Sequence, residues 1–496
     1  MKLTFRLAAL AAVALLVADP SMAARHKPAK LAQAAAPSAP AAMPQQPPAP
    51  PPKPSLTLDE ALAVAYETNP QLAAQQAALR ATDEGVAIAN GAWRPNISAG
   101  GTYGYQQFYF TPLSIPGFGT ISTISAHPLQ GAITVTQPIF RGGRTIAEVG
   151  RAKALVRAGR AQLLAAEQTV LLSAATSYMD MVRDTAILGL REHNVELLKK
   201  QEQATLAQFN AGSLTRTDVA QSQARLAAAQ SDLTAAQSQL EVSRANFLQA
   251  IGRAPETLET EPALPPALPS GMDDSITMAI KQNPALVSAR ENEIAADYSV
   301  DDAIGALLPT LSVQGQYGYS QGSLTTPTGG VNVTGTVSHA VTVTGQLNIP
   351  IYQGGADEAA VRQAKELHSQ AQLNVQVTDL QVRQAVAAAW AQFESTEASI
   401  ASNEAAERAN EIAFEGVTKE QQVGGRTILD VLNAEQELLN ASVALVSAKR
   451  NAEVAAFQVL AANGALTAKN LGLKVKIYDP LEHYDDDAAR WIGFGD

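Results

Sequence analysis

The stretch GAWRPNISAGGTYGY, residues 91–105, returns 214 positions later as GALLPTLSVQGQYGY, residues 305–319. In each, a proline (Pro95, Pro309) ends a helical pattern, because proline has no N–H and clashes with the preceding turn. Beyond the proline the residues alternate with period two. Ile97, Ala99, Gly101, Tyr103 and Tyr105 are apolar or small; Ser98, Gly100, Thr102, Gly104 and Gln106 between them are polar or small. In the later copy Leu311, Val313, Gly315, Tyr317 and Tyr319 stand against Thr310, Ser312, Gln314 and Gln316. Such alternation predicts strands whose two faces meet different media. It suits the wall of a membrane barrel, and equally a soluble hairpin with one face on a core.

Three further pairs keep nearly the same spacing. LAVAYETNPQL (62–72) matches ITMAIKQNPAL (276–286) at 214, and QPIFRGG (137–143) matches IPIYQGG (349–355) at 212. AGSLTRTDVAQSQARL (211–226) matches VGGRTILDVLNAEQEL (423–438), also at 212. Constant offset over four landmarks implies a tandem duplication, about 56–269 and 270–468. Each copy reads helix–strand–strand–helix. Strands are expected near 96–110 and 131–140, then 310–320 and 340–352. In the last of these Val341, Val343, Leu347, Ile349 and Ile351 alternate with Thr342, Thr344, Gln346 and Asn348.

Helices are expected over Leu58–Ala92 and Asp274–Leu307, with much longer ones over Thr145–Phe209 and Asp357–Gln421. Some 65 residues span roughly 95–100 Å, deeper than any single core, so these helices need partners along their whole length. The next helix in each copy carries a seam. Val431, Ala434, Leu438, Ala441, Leu445, Ala448 and Ala452 step by three and four, as do Val219, Ser222, Leu226, Ala229, Leu233, Ala236 and Leu240. Small residues at alternate seam positions let axes approach closely. A second stripe, Leu432, Leu439 and Val446, offers another contact line.

Lys2 and Arg6 before the apolar run Leu7–Val17, then Ser21-Met22-Ala23, read as a signal peptide over 1–23. Residues 24–54, rich in Ala and Pro, read as an extended linker, and 469–496 as an acidic tail, solvated by default. With no cysteine there is no disulfide and no lipid-acceptor thiol; six scattered histidines suggest no metal site and no cofactor. A net charge of −11 argues against nucleic acid. No nucleophile–base cluster or phosphate loop points to an enzyme.

With PI[FY]xGG closing strands and GGRTxxDVLNAxxxL opening a helix, the chain resembles the TolC family of outer-membrane efflux and type I secretion channels over about 56–468. The resemblance implies a mainly α fold with a membrane β-barrel part: a homotrimer whose twelve-stranded barrel continues as a long α-helical coiled-coil barrel. It implies a Gram-negative outer membrane, extension into the periplasm, and partners in a periplasmic adaptor (membrane fusion) protein and an inner-membrane transporter of ABC or RND type. Four strands cannot close a barrel alone, and open edges in lipid are costly, so a membrane role demands oligomerisation. A periplasmic coiled-coil adaptor or scaffold without a pore is the alternative.

Gly212, Gly424 and Gly425 mark turns after the long helices, and Thr215-x-x-Asp218 and Thr427-x-x-Asp430 form capping-box patterns. The resemblance places these turns at a periplasmic gate. It implies a latch of Arg426 with Thr217 and Asp218 of a neighbouring hairpin. It also implies a pore constriction at Asp430 and Asn433; the second position is acidic in the family's efflux prototype and neutral here. Trp93 and the tyrosine pairs are expected either at membrane interfaces or packed within the trimer, His127 and His339 in loops.

Overall fold

The computed structural model describes residues 56–116, 119–255, 257–260, 265, 268–325, 332–487 and 490–493. The expected signal peptide and linker lie outside them. The elements run α1 (Leu58–Thr68), α2 (Pro70–Gly91), β1 (Asn96–Tyr103), β2 (Gln106–Ile115), β3 (Gly119–Ala126), β4 (Leu129–Arg141), α3 (Arg144–Asn210) and α4 (Arg216–Ile251). They continue α5 (Met272–Gln282), α6 (Pro284–Gly305), β5 (Thr310–Thr325), β6 (Asn332–Asn348), α7 (Ala356–Gln422), α8 (Ile428–Ala462) and α9 (Glu482–Asp487).

The helices expected over Leu58–Ala92 and Asp274–Leu307 are each broken in two. Asn69 and Asn283 cap α2 and α6, their side chains accepting from Gln71 N–H at 2.9 Å and Ala285 N–H at 3.0 Å. Pro70 and Pro284 stand at the first helical position, where a missing N–H costs nothing. The amide nitrogens of the two asparagines donate to Ala250 O (3.2 Å) and Ala462 O (2.8 Å), pinning each break to the end of α4 or α8.

The largest core lies between α1, α3, α4, α8 and the chain after α8, around Leu62, Leu171, Tyr178, Phe247, Leu460 and Leu466. Tyr178 is fully buried. Its hydroxyl donates to Leu56 O (2.8 Å) and accepts from Glu259 N–H (3.0 Å), holding the parallel bridge between Leu56 and Leu258. Burial pushes that phenol up to about 12. Glu167 accepts from Ala468 N–H at 2.7 Å and docks the segment after α8; burial raises its carboxyl too.

The sheet is antiparallel, its main path β1–β4–β5–β6. The first copy's expected strand pair is four strands. Gly104-Tyr105 and His127-Pro128 interrupt the ladder, since proline has no N–H to give it, and Gly104 N–H bonds instead to Pro128 O (3.0 Å). Beyond this break β2 and β3 form their own hairpin, with β3 touching the end of β5 at Ser125 and Ala126. His339 is not in a loop: it lies in β6 opposite Tyr319, its Nδ1 2.8 Å from the Tyr317 hydroxyl.

Register separates the two faces. Ile97 pairs Val135, Tyr103 pairs Leu129, Ile133 pairs Tyr317, Tyr317 pairs Val341 and Leu311 pairs Leu347. The alternate positions pair polar with polar or small: Ser98 with Thr134, Thr136 with Gln314, Gln316 with Thr342, Ser312 with Gln346. The apolar set is exposed in the single chain. Among the described residues, β1 and β6 each pair on one side only. No helix of the described residues is long and apolar enough to cross a membrane.

Sheet passes into helix at a crowded point. A Cβ on Gly142 (φ +64) would lie 2.2 Å from Gly305 O and 2.9 Å from Leu308 Cβ, so two backbones touch there. The expected solvated tail instead packs on helices: Tyr478 N–H donates to the Tyr66 hydroxyl (3.2 Å), and His483 lies 3.5 Å from the buried Asp83.

Candidate functional site

The two helical turns at the far end of α3 and α7 are built alike. Each long helix closes with a bond across five residues: Ser213 N–H to Gln208 O (3.0 Å), Gly425 N–H to Glu420 O (2.8 Å). Gly212 (φ +81) and Gly424 (φ +83) take the left-handed conformation this closure requires. The next helix opens with a capping box. Thr215 N–H and hydroxyl donate to Asp218 Oδ2 at 2.9 and 2.7 Å, and Asp218 N–H returns to Thr215 Oγ1 at 3.3 Å. Thr427 and Asp430 repeat this at 2.9, 2.8 and 3.3 Å. The hydroxyl and N–H of Thr215 hold Asp218 below the usual carboxylate range. The N–H and hydroxyl of Thr427, with the charge of Arg426, do the same for Asp430. Both acids are therefore ionised at neutral pH.

Charge distinguishes the two turns. Arg426 takes the place of Leu214, and its Nε donates to Glu420 Oε2 at 2.8 Å, which raises its already high pKa. Within one chain Arg426 thus meets Glu420 and not Thr217 or Asp218; Thr217 is exposed on the first turn of α4. Asn433 is exposed and accepts from Arg225 Nη2 at 2.9 Å, a bond from α4 to α8 that joins the two hairpins near their turns. Leu432 reinforces this junction, packing with Val195, Leu198 and Ala229.

Glu420, Arg225 and Glu435 went unread in the sequence. The first two are recognised only through partners on another stretch of chain. Glu435 carried a signal: it sits three residues after Leu432 and four before Leu439, on the second apolar stripe. It is 7% exposed, its Oε1 finds no hydrogen-bond partner among the described residues, and burial pushes its carboxyl up to about 7.

The two turns close the ends of α3 and α7 that lie away from the two-faced sheet. The sequence profile of the family described as outer membrane efflux protein matches residues 61–253 and 275–465. The outer membrane efflux protein BepC of Brucella suis biovar 1 is 36% identical over 439 residues, 88% of this chain and 92% of that protein. Outer membrane protein TolC of Escherichia coli K12 is 25% identical over 435 residues, 84% of this chain and 85% of its own. The crystal structure of the Campylobacter jejuni CmeC outer membrane channel superposes with a TM-score of 0.71, covering 87% of this chain and 89% of that one at 17% identity. These likenesses favour a channel over a poreless adaptor.

Proposed function

The chain belongs to the outer membrane efflux protein family, its place is the outer membrane, and on that footing we propose that three copies close one passive export duct. Their sheets join as a twelve-stranded barrel in lipid, and their helices continue it as a periplasmic tunnel that narrows at the paired turns. A periplasmic adaptor and an inner-membrane transporter dock at that narrow end. The observation that carries this reading is the strand register, which puts apolar partners on one exposed face and polar partners on the other. Unpaired edges in hydrocarbon are prohibitively costly, so β1 of one copy pairs with β6 of the next.

The tandem repeat of the sequence supports a particular packing of helices between copies. Matching elements have matching lengths: 22 residues in α2 and α6, 67 in α3 and α7. Inside the chain α3 packs along α6. By the same relation α7 packs along α2 of the next copy. Gly150 lies against the Tyr298 ring; the positions equivalent to that pair are Arg362 and Glu84, both exposed and oppositely charged. Exposed Ile88 likewise takes the place of Asp302, whose partner Arg144 becomes Ala356.

At the gate, Arg426 exchanges Glu420 for Thr217 and Asp218 of a neighbouring hairpin, with Asp430 and Asn433 lining the constriction. An exposed ion pair contributes about 0–1 kcal/mol, so adaptor contacts suffice to release three of them. Asp218→Ala combined with Arg426→Ala is expected to raise single-channel conductance in planar bilayers. Unchanged conductance leaves Asp218 as part of a helix cap and Arg426 as the partner of Glu420. Failure of the wild type to form a detergent-resistant trimer or to conduct ions overturns the duct itself.

A further inference from the structure

Exposed large apolar residues gather wherever sheet gives way to helix. Trp93 precedes β1, Phe140 lies at the end of β4, Leu308 precedes β5 and Tyr352 stands after β6. Such a girdle marks the water boundary of a membrane barrel. Residues 478–487 and 490–493 reach the same level by another route. From Tyr66 they pass His483, beside Asp83 of α2, and Tyr484, whose ring lies 5.0 Å beneath the Arg160 guanidinium of α3. They end their described course on Arg94, just before β1. Arg94 Nη1 donates to Arg490 O at 2.6 Å, and its guanidinium stacks 4.8 Å over the Trp491 ring. The contacts of His483 and Trp491 thus fall on α2 and on the chain between it and β1.

Despite the stacking, Trp491 remains 68% exposed and Ile492 is 92% exposed. An indole with one polar N–H and a wide apolar ring is suited to the boundary between headgroups and acyl chains. Arg94 brings a guanidinium group beside the Trp491 ring, the kind of group that lipid phosphates attract at that level. We propose that Trp491 and Ile492 form a membrane anchor, inserted beside Trp93 and Phe140 into the periplasm-facing interface of the outer membrane. A segment that belongs to neither copy of the duplicated unit thus ties the helical part to the lipid surface. The inference rests on the proposed function, in which the apolar sheet face meets lipid.

Two single-tryptophan proteins separate the two. One carries Trp93→Phe and Trp390→Phe and keeps Trp491. The other carries all three tryptophans as phenylalanine together with Ile133→Trp, which sets a reporter indole on the apolar sheet face. Both are assembled into phosphatidylethanolamine–phosphatidylglycerol vesicles with and without bromine on the acyl chains near the headgroup. The anchor predicts that Trp491 loses most of its emission to bromolipid and becomes resistant to aqueous acrylamide. If the sheet-face reporter is quenched by bromolipid while Trp491 answers only to acrylamide, the segment is solvated and the anchor is wrong. If Trp491 escapes both quenchers, another copy of the chain covers it and the lipid contact is again wrong. If the reporter itself escapes bromolipid, the sheet is not in the membrane and both readings fall.

Discussion

α3 and α7 are each 67 residues long and each enters from a left-handed glycine, Gly143 (φ 81) and Gly355 (φ 82). Their fates within one chain differ. α3 buries side chains from Thr145 to Thr205, against α1, α2, α4, α6 and α8. α7 buries Val382, Val386 and Thr396, and leaves Leu367, Leu373, Val377 and Leu380 in the open. A helix of that length is stabilised by packing rather than by propensity. The difference is the one the proposed trimer requires: one long helix is completed by its own chain, and the other is left for a second copy to complete.

The sharpest way to break this contrast is to charge the bare stripe. Leu373→Asp with Leu380→Asp should abolish the detergent-resistant trimer and ion conductance while leaving the circular-dichroism helix signal of the isolated chain intact. Retained trimers would mean that α7 faces water. Next in size, Leu171→Ala in the core of α3 should cost about 2–5 kcal/mol, read as a lowered melting temperature of the helix signal. Leu380→Ala should change the unassembled chain by less than about 0.5 kcal/mol.

A third test bears on the hairpins' other members, α4 and α8. Glu435 is buried where α4 carries the exposed Gln223. Its carboxyl titrates near 7 in the fold, against 4.5 when unperturbed. Between those values the folded chain keeps a proton that the unfolded chain has lost. Stability therefore falls as pH rises through that window, and the full penalty, on the order of 3 kcal/mol, stands above it. Glu435→Gln should remove this slope, raising the melting temperature at about pH 8 and changing it little in acid. An unaltered pH profile would place the charge in water. The smallest effect concerns the proposed seam. Glu84→Arg should weaken the trimer slightly, by about 0–1 kcal/mol per pair, and adding Arg362→Glu should restore it. Equal loss in both variants would move the pair off the interface.

Much of the architecture was legible. Pro95 and Pro309 with period-two alternation located the sheet, and Gly212, Gly424, Thr215 and Thr427 located the turns within a residue, because these features act on their own neighbours. What escaped was set by contacts distant in sequence. The asparagine breaks at 69 and 283 depend on carbonyls at 250 and 462. Arg225 gains its meaning from Asn433, and Arg426 takes Glu420 from the helix before it. The tail's composition spoke for solvation, yet Tyr478, Tyr484 and Trp491 each find a partner on α1, α3 or the approach to β1.

The touching backbones of Gly142 and Gly305 have a mechanical consequence. α3 begins two residues beyond Gly142 and extends about 100 Å, so one degree of tilt at its root moves its far end by about 2 Å. A methyl group added at either glycine would act on the distant turn as a wedge acts on a long lever. In the proposed duct, the width of the periplasmic gate is thereby set, in part, at the opposite end of α3, by two hydrogen atoms.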